Sequence, residues 1–185
     1  MRLVVLGLNH KTVPVTIREQ FAVSEESARS GLRHLDEQSG INEAVILSTC
    51  NRTEIYAVLG DGELEEGQVW EAAMYAGNYK LDNLTAFVDN NGLQIDGSND
   101  EVMSLGDIQA KFKAFGYDVI DVADGNDMQQ VLDALHAPAC PGKPRLIHLH
   151  TLKGKGVSFM EGQVGWHGKA PNAEQTAQAL SELEG

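Results

Sequence analysis

The stretch from Glu54 to Leu149 constrains this chain more than any other. Four short apolar runs, Glu54–Leu59, Leu84–Val88, Tyr117–Val122 and Leu146–Leu149, alternate there with stretches patterned as helices. Glu65–Tyr79 places Val69, Ala72, Ala73 and Ala76 on one face, and Asp107–Phe115 does the same with Ile108, Phe112 and Phe115. Asp127–His136 is a third such segment and 172–184 a fourth, with a polar face. A strand, a helix and a strand in regular turn require crossover connections, and crossovers leave the strands parallel. Parallel strands are covered on both sides, which explains runs this rich in apolar residues. The pattern predicts an α/β fold with a mostly parallel sheet covered by helices. Sheets of this kind take their ligands at the carboxyl ends of the strands.

Ahead of that stretch the rhythm differs. Leu3–Leu8 reads as a strand and Pro14 ends it. Ser24 caps a helix that Gly40 terminates, and Ala44–Leu47 is a further strand, so the front reads β-α-β-β. Charge shifts at the same place. The chain carries net −13, yet residues 1–58 hold 6 basic and 7 acidic side chains, leaving 8 and 20 for residues 59–185. That divides the chain into a segment 1–58 and a domain 59–185. The acidic part opposes a nucleic-acid groove and suits a site where a divalent cation and a phosphate arrive together. No apolar run reaches the roughly 18 residues of a membrane span. Met1–Gly7 stops too soon for a signal peptide. Cys50 and Cys140 lie in unrelated contexts and form no disulfide framework, which makes the cytoplasm the expected location.

The chemistry-bearing residues sit at strand ends. Gly60-Asp61-Gly62 follows one apolar run and precedes a helix, placing a carboxylate where backbone can approach a ligand closely. The helix start behind it offers free N–H groups to a phosphate. The next run ends in Asp89-Asn90-Asn91-Gly92-Leu93. A carboxylate, a carboxamide and a backbone carbonyl suit octahedral Mg²⁺, the remaining ligands being phosphate oxygens and water. His148 and His150, at period two in a strand, read as satisfied sheet residues. Lys153 and Lys155 read equally well as phosphate partners or as solvated side chains.

The segment "LGDGELEEGQVWEAAMYAGNYKLDNLTAFVDNNGLQIDG", continued by "FGYDVIDVADGND" and "GKPRLIHLHTLKGKGVSFMEGQVGWHGKAP", resembles the thiamine-diphosphate-binding domain of transketolases, above all the N-terminal subunit of the two-chain enzymes. The resemblance covers roughly residues 59–185 and implies a truncated thiamine-diphosphate-binding fold. It further implies thiamine diphosphate and Mg²⁺ as cofactors, with Asp61, Asn91 and the Leu93 carbonyl on the metal. Gly60 and Gly62 would lie against the cofactor, with the Gly62 amide on the diphosphate. Glu66 would join an acidic network between the two active sites of a dimer, and His167 of "GWHG" would stand near diphosphate and substrate. Implied partners are a pyrimidine-binding C-terminal subunit or a second copy, and implied substrates are sugar phosphates.

The front is similar to another family. "MRLVVLGLNHKTVPVTIREQFAVSEE" and "EAVILSTCNRTEIYAV" resemble the N-terminal catalytic domain of glutamyl-tRNA reductase, of tetrapyrrole (porphyrin) biosynthesis, over roughly residues 1–58. That resemblance implies Cys50 as the thiol nucleophile, Thr49 and Arg52 in substrate recognition, and NADPH and tRNA as co-reactants. Three functions therefore stand at this point: a transketolase-like ketol transferase working with a partner subunit, a reductase fragment, and an inactive truncated fusion.

Overall fold

The computed structural model describes residues 43–48 and 53–184. The expected first strand and first helix, Leu3–Leu8 and the segment from Ser24 to Gly40, lie outside those residues. Strands β1 (Glu43–Ser48) and β2 (Thr53–Gly60) pair antiparallel. A single 3₁₀ turn over Gly62–Glu65 leads into helix α1 (Gly67–Asn78), and β3 (Leu84–Asn90) returns. A two-stranded ribbon, β4 (Leu93–Gln94) with β5 (Gly97–Ser98), and the short helix α2 (Asn99–Val102) follow. Then come α3 (Ile108–Ala114), β6 (Asp118–Val122), α4 (Met128–His136), β7 (Arg145–His150) and, near the end, α5 (Ala173–Leu183).

The sheet runs β1-β2-β3-β7-β6. Its β2–β3, β3–β7 and β7–β6 pairs are all parallel, as the alternation of strands and helices requires. Both strands expected between Ala44 and Leu59 belong to this same sheet, with β1 the one antiparallel edge. Register aligns the strand ends: Gly60 stands beside Asp89, Asn90 beside His150, and Asp121 beside His148.

The two faces divide the apolar residues by parity along the strands. One face gathers Leu59, Leu84, Ala86, Val88 and Leu146 under Val69, Ala73 and Ala76 of α1 and Ile108 and Phe112 of α3. Trp70 stacks at 5.3 Å on Phe112, which meets Tyr117 edge-on at 5.1 Å. The opposite face seats Ala134 of α4 on Ile147 and Val122. Burying a side chain such as Phe112 contributes about 1.5–3 kcal/mol. Helix starts are fixed locally. The Asp107 carboxylate accepts from the Ala110 amide at 2.8 Å, and Asn172 and Gln175 form a reciprocal capping box.

One element begins later than its pattern predicts. The helix expected from Glu65 starts at Gly67, because Glu66 is extended (φ −76°, ψ 121°) between the 3₁₀ turn and α1. The tight turn lets Asp61 cap its own loop, and Glu66 marks where the chain changes direction.

Candidate active-site cleft

At the carboxyl ends of β2 and β3 lies a cleft of about 350 Å³. Its lining includes Gly60, Asp61, Gly62, Glu66, Asn91, Leu93 and His167, together with Glu63, Asp89, Gln94, Ile95, Asp96 and Lys153. Every residue that the thiamine-diphosphate resemblance singled out therefore meets in one cavity. Thr49, Cys50 and Arg52 lie outside the described residues.

Asp61 is the buried centre, 1% exposed. It sits one residue past β2, where sheet pairing ends and its amide still bonds to the Asp89 carbonyl at 3.1 Å. One carboxylate oxygen accepts from the Gly92 amide at 2.5 Å and the other from the Gly62 amide at 3.0 Å. Burial pushes its pKa up, and neighbouring Asp89 adds to the rise, against the lowering effect of the Gly92, Asn99 and Gly62 hydrogen bonds. Among the described residues no lysine or arginine pairs with it.

The second loop is shaped around that carboxylate. Gly92 adopts φ +75°, a conformation open to glycine, and so turns its N–H toward Asp61. Asn91 Oδ1 accepts from the Leu93 amide at 3.1 Å, which uses one of its two lone pairs. Gln94 donates to Glu65 at 2.7 Å and joins the ribbon to the 3₁₀ turn. A Cβ at Gly62 would lie 3.3 Å from that of Gln94, so the loop closes tightly on the ribbon. A carboxylate group, an amide oxygen with a free lone pair and a nearby carbonyl form a hard-oxygen donor set. That chemistry fits Mg²⁺, and a buried carboxylate lacking a basic partner fits a cation.

The rim is more open. Glu66 and His167 are exposed, and Lys153 Nζ lies 3.2 Å from His167 Nδ1. Lys155 turns to Glu161 at 4.0 Å and does not line the cleft. His167 follows a 3₁₀ turn, Val164–Trp166, held by the Trp166 indole donating to the Phe159 carbonyl at 2.9 Å.

Sequence reasoning missed the residues that brace the Asp89-Asn90-Asn91 loop. The Thr151 hydroxyl donates to the Asp89 carboxylate, and Asn90 Nδ2 lies 3.0 Å from His148 Nε2. Their signal was available only as strand register. Thr151 and His148 flank the end of β7, and β7 runs beside β3.

The sheet and its cleft fall within a stretch of the chain that matches known proteins. The family described as "Transketolase, thiamine diphosphate binding domain" matches residues 42–184. One subunit of the apulose-4-phosphate transketolase of Phocaeicola vulgatus is 45% identical over 129 residues, covering 69% of this chain and 46% of that protein. A 6-deoxy-6-sulfo-D-fructose transketolase subunit from a Clostridium species is 44% identical over 131 residues, covering 70% and 47%. The chain thus spans about half the length of these curated relatives. Among solved structures, a transketolase of Pichia stipitis in complex with a sugar phosphate superposes with a TM-score of 0.65 at 36% identity, over 70% of this chain and 19% of that one. The Campylobacter jejuni transketolase gives 0.65 at 32%, over 71% and 20%.

Proposed function

The chain belongs to the transketolase thiamine-diphosphate-binding domain family, and on that premise we propose that it is the diphosphate-binding part of a two-subunit transketolase that takes Mg²⁺ with the cofactor. The reaction in this reading moves a ketol unit between sugar phosphates. One observation carries it: the residues expected to hold metal and diphosphate all line a single cleft at the ends of β2 and β3. The bacterial relatives, each named as one subunit of a transketolase, support a separate partner subunit bearing the pyrimidine-binding domain.

In this reading Asp61, Asn91 and the Leu93 carbonyl hold Mg²⁺. The Gly62 amide, which donates to Asp61 in the structure, would donate to the diphosphate, and the Asp61 carboxylate would hold the metal. Lys153 adds positive charge to the mouth of an otherwise acidic cleft. His167, beside it, would hydrogen-bond phosphate or a substrate hydroxyl. Glu66 stands on the exposed rim, where a partner's residues can reach it. When bound, thiamine diphosphate supplies the carbanion chemistry, while the protein supplies orientation and electrostatics.

Calorimetry with thiamine diphosphate, with and without Mg²⁺, tests the reading. Binding is expected only when metal and cofactor are both present, and ketol transfer only once a pyrimidine-domain subunit is added. Metal-independent binding would remove Asp61 and Asn91 from their assigned roles. No binding, with or without that subunit, would mean that the cleft has kept the residues without the function.

A further inference from the structure

A second cluster of chemistry-bearing side chains lies outside the cleft, on the neighbouring strands β6 and β7. His148 and His150 stand two positions apart on β7, so both rings project from the same face. Asp121 on β6 is the register partner of His148 and projects from that face too. Asp121 Oδ1 lies 3.1 Å from His148 Nδ1 and 2.9 Å from His150 Nε2. The three candidate ligand atoms all lie within 4.8 Å of one another. In tetrahedral Zn²⁺ sites, metal–ligand bonds of about 2.0–2.1 Å hold donors roughly 3.3–3.4 Å apart. The cluster is within a few tenths of an ångström of that spacing on two of its edges.

Hydrogen bonding alone leaves the cluster badly matched. A neutral imidazole has one N–H and one lone pair. Asn90 Nδ2 faces His148 Nε2 at 3.0 Å, which needs the lone pair there and puts the proton on Nδ1. Gln109 Nε2, another donor, faces that same Nδ1 at 3.3 Å. Nδ1 is thus asked for a proton by Asp121 and for a lone pair by Gln109. A cation on Nδ1 removes the first demand, and a half-turn of the Gln109 amide, which brings its oxygen round, removes the second. A half-turn of the Asn90 amide then gives Nε2–H the carbonyl partner that metal-bound imidazoles use on their far nitrogen. The His148 side chain is 5% exposed, whereas those of His150 and Asp121 are near half, which leaves an entry path.

We propose that Asp121, His148 and His150 bind a borderline divalent cation of the Zn²⁺ class, with water completing the coordination. The site is separate from the cleft, since none of the three lines it. It is also chemically distinct, because two imidazoles with one carboxylate select a borderline metal, whereas the all-oxygen set around Asp61 selects a hard one. Through Asn90 it braces the loop that carries Asn91, joining β6, β7 and the end of β3 at one point.

The test uses the metal-free full chain, with Co²⁺ as a spectroscopic stand-in for Zn²⁺. Titration should give the visible absorption of a four- or five-coordinate site at one equivalent, displaced by Zn²⁺ and not by excess Mg²⁺. His150→Gln and Asp121→Asn replace half-exposed ligands, so the melting of the metal-free chain should barely move while affinity falls roughly 10-fold or more. Absence of the band, an unchanged affinity in both variants, or loss of the band in Cys140→Ser would overturn the proposal.

Discussion

The Asp61 carboxylate accepts a hydrogen bond from the backbone amide of Gly92 at 2.5 Å, across thirty-one positions of sequence. The two loops meet because Gly60 is in register with Asp89 across β2 and β3, so both strands end at one level. Gly92 then turns back through its left-handed backbone to face the carboxylate. A buried carboxylate whose oxygens face amides, with no basic side chain paired to it among the described residues, has the chemistry to accept a cation.

Asp61→Asn should therefore weaken Mg²⁺-dependent thiamine diphosphate binding. Losing a charged ligand from a mostly dry site costs about 1.5–3 kcal/mol, or roughly 10- to 150-fold in affinity. Asn91→Ala should act in the same direction with a smaller effect, since it removes a neutral oxygen. Calorimetry on both variants, set beside their melting curves, separates loss of the site from loss of the fold. Binding by the Asp61→Asn variant as tight as that of the parent would refute the assignment.

Gly77→Ala should destabilise the chain, although alanine is the better helix former by about 1 kcal/mol. A Cβ built on Gly77 in α1 would sit 1.8 Å from the Phe115 carbonyl oxygen, which is backbone and cannot turn aside. Overpacking of this kind costs about 1–3 kcal/mol or more, so the melting temperature should fall. A rise would show that α1 and the end of α3 are not packed this closely.

Phe112→Ala tests the core. The ring is 1% exposed between Trp70 and Tyr117, and its removal should cost about 3–5 kcal/mol. Tyr79→Ala, at a residue 60% exposed, should change stability by less than about 0.5 kcal/mol. Denaturant melts of the two variants would distinguish this arrangement from one in which α3 has left the sheet.

Docking of α5 should depend on acid pH. Glu182 accepts from the Ser158 amide at 2.6 Å and from its hydroxyl at 2.8 Å, and also from Gln178. The Ser158 amide, then Gln178 and the Ser158 hydroxyl, hold its carboxyl below the ordinary glutamate value of 4.5. A depressed folded pKa means that the bonded form is complete above the unfolded value and is lost as pH falls through the folded one. The Ser158 amide resonance should therefore titrate with a midpoint below 4.5, and Glu182→Gln should abolish that titration. A midpoint at or above the ordinary value would sink the contact.

The strands were legible because burial in the sheet writes predominantly apolar runs into Leu84–Val88 and Leu146–Leu149. Helix starts at Asp107, Asp127 and Asn172 were legible because a cap is a local bond between a side chain and an amide two or three residues on. The late start of α1 was not, because Glu66 turns extended to suit the loop around Asp61. The β4–β5 ribbon was also missed, being two residues a side, too short for a period-two signal.

Gly60-Asp61-Gly62 and Asp89-Asn90-Asn91 were legible in one dimension as oxygen-bearing strand ends, since residue type sets which atoms a side chain presents. The sequence by itself thus determined the kind of sheet and the hard-oxygen donors at its strand ends. Tertiary structure alone decided their juxtaposition. The β2–β3 register brings Gly92 to Asp61, and the loop after β7 brings Lys153 and His167 to the same cleft. It also decided the fate of His148 and His150, which along the chain are two ordinary strand residues. They share one carboxylate oxygen because β6, the edge strand, pairs parallel with β7 in the register that sets Asp121 beside His148. Register between distant strands is fixed by packing over the whole sheet, and no local run of residues encodes it.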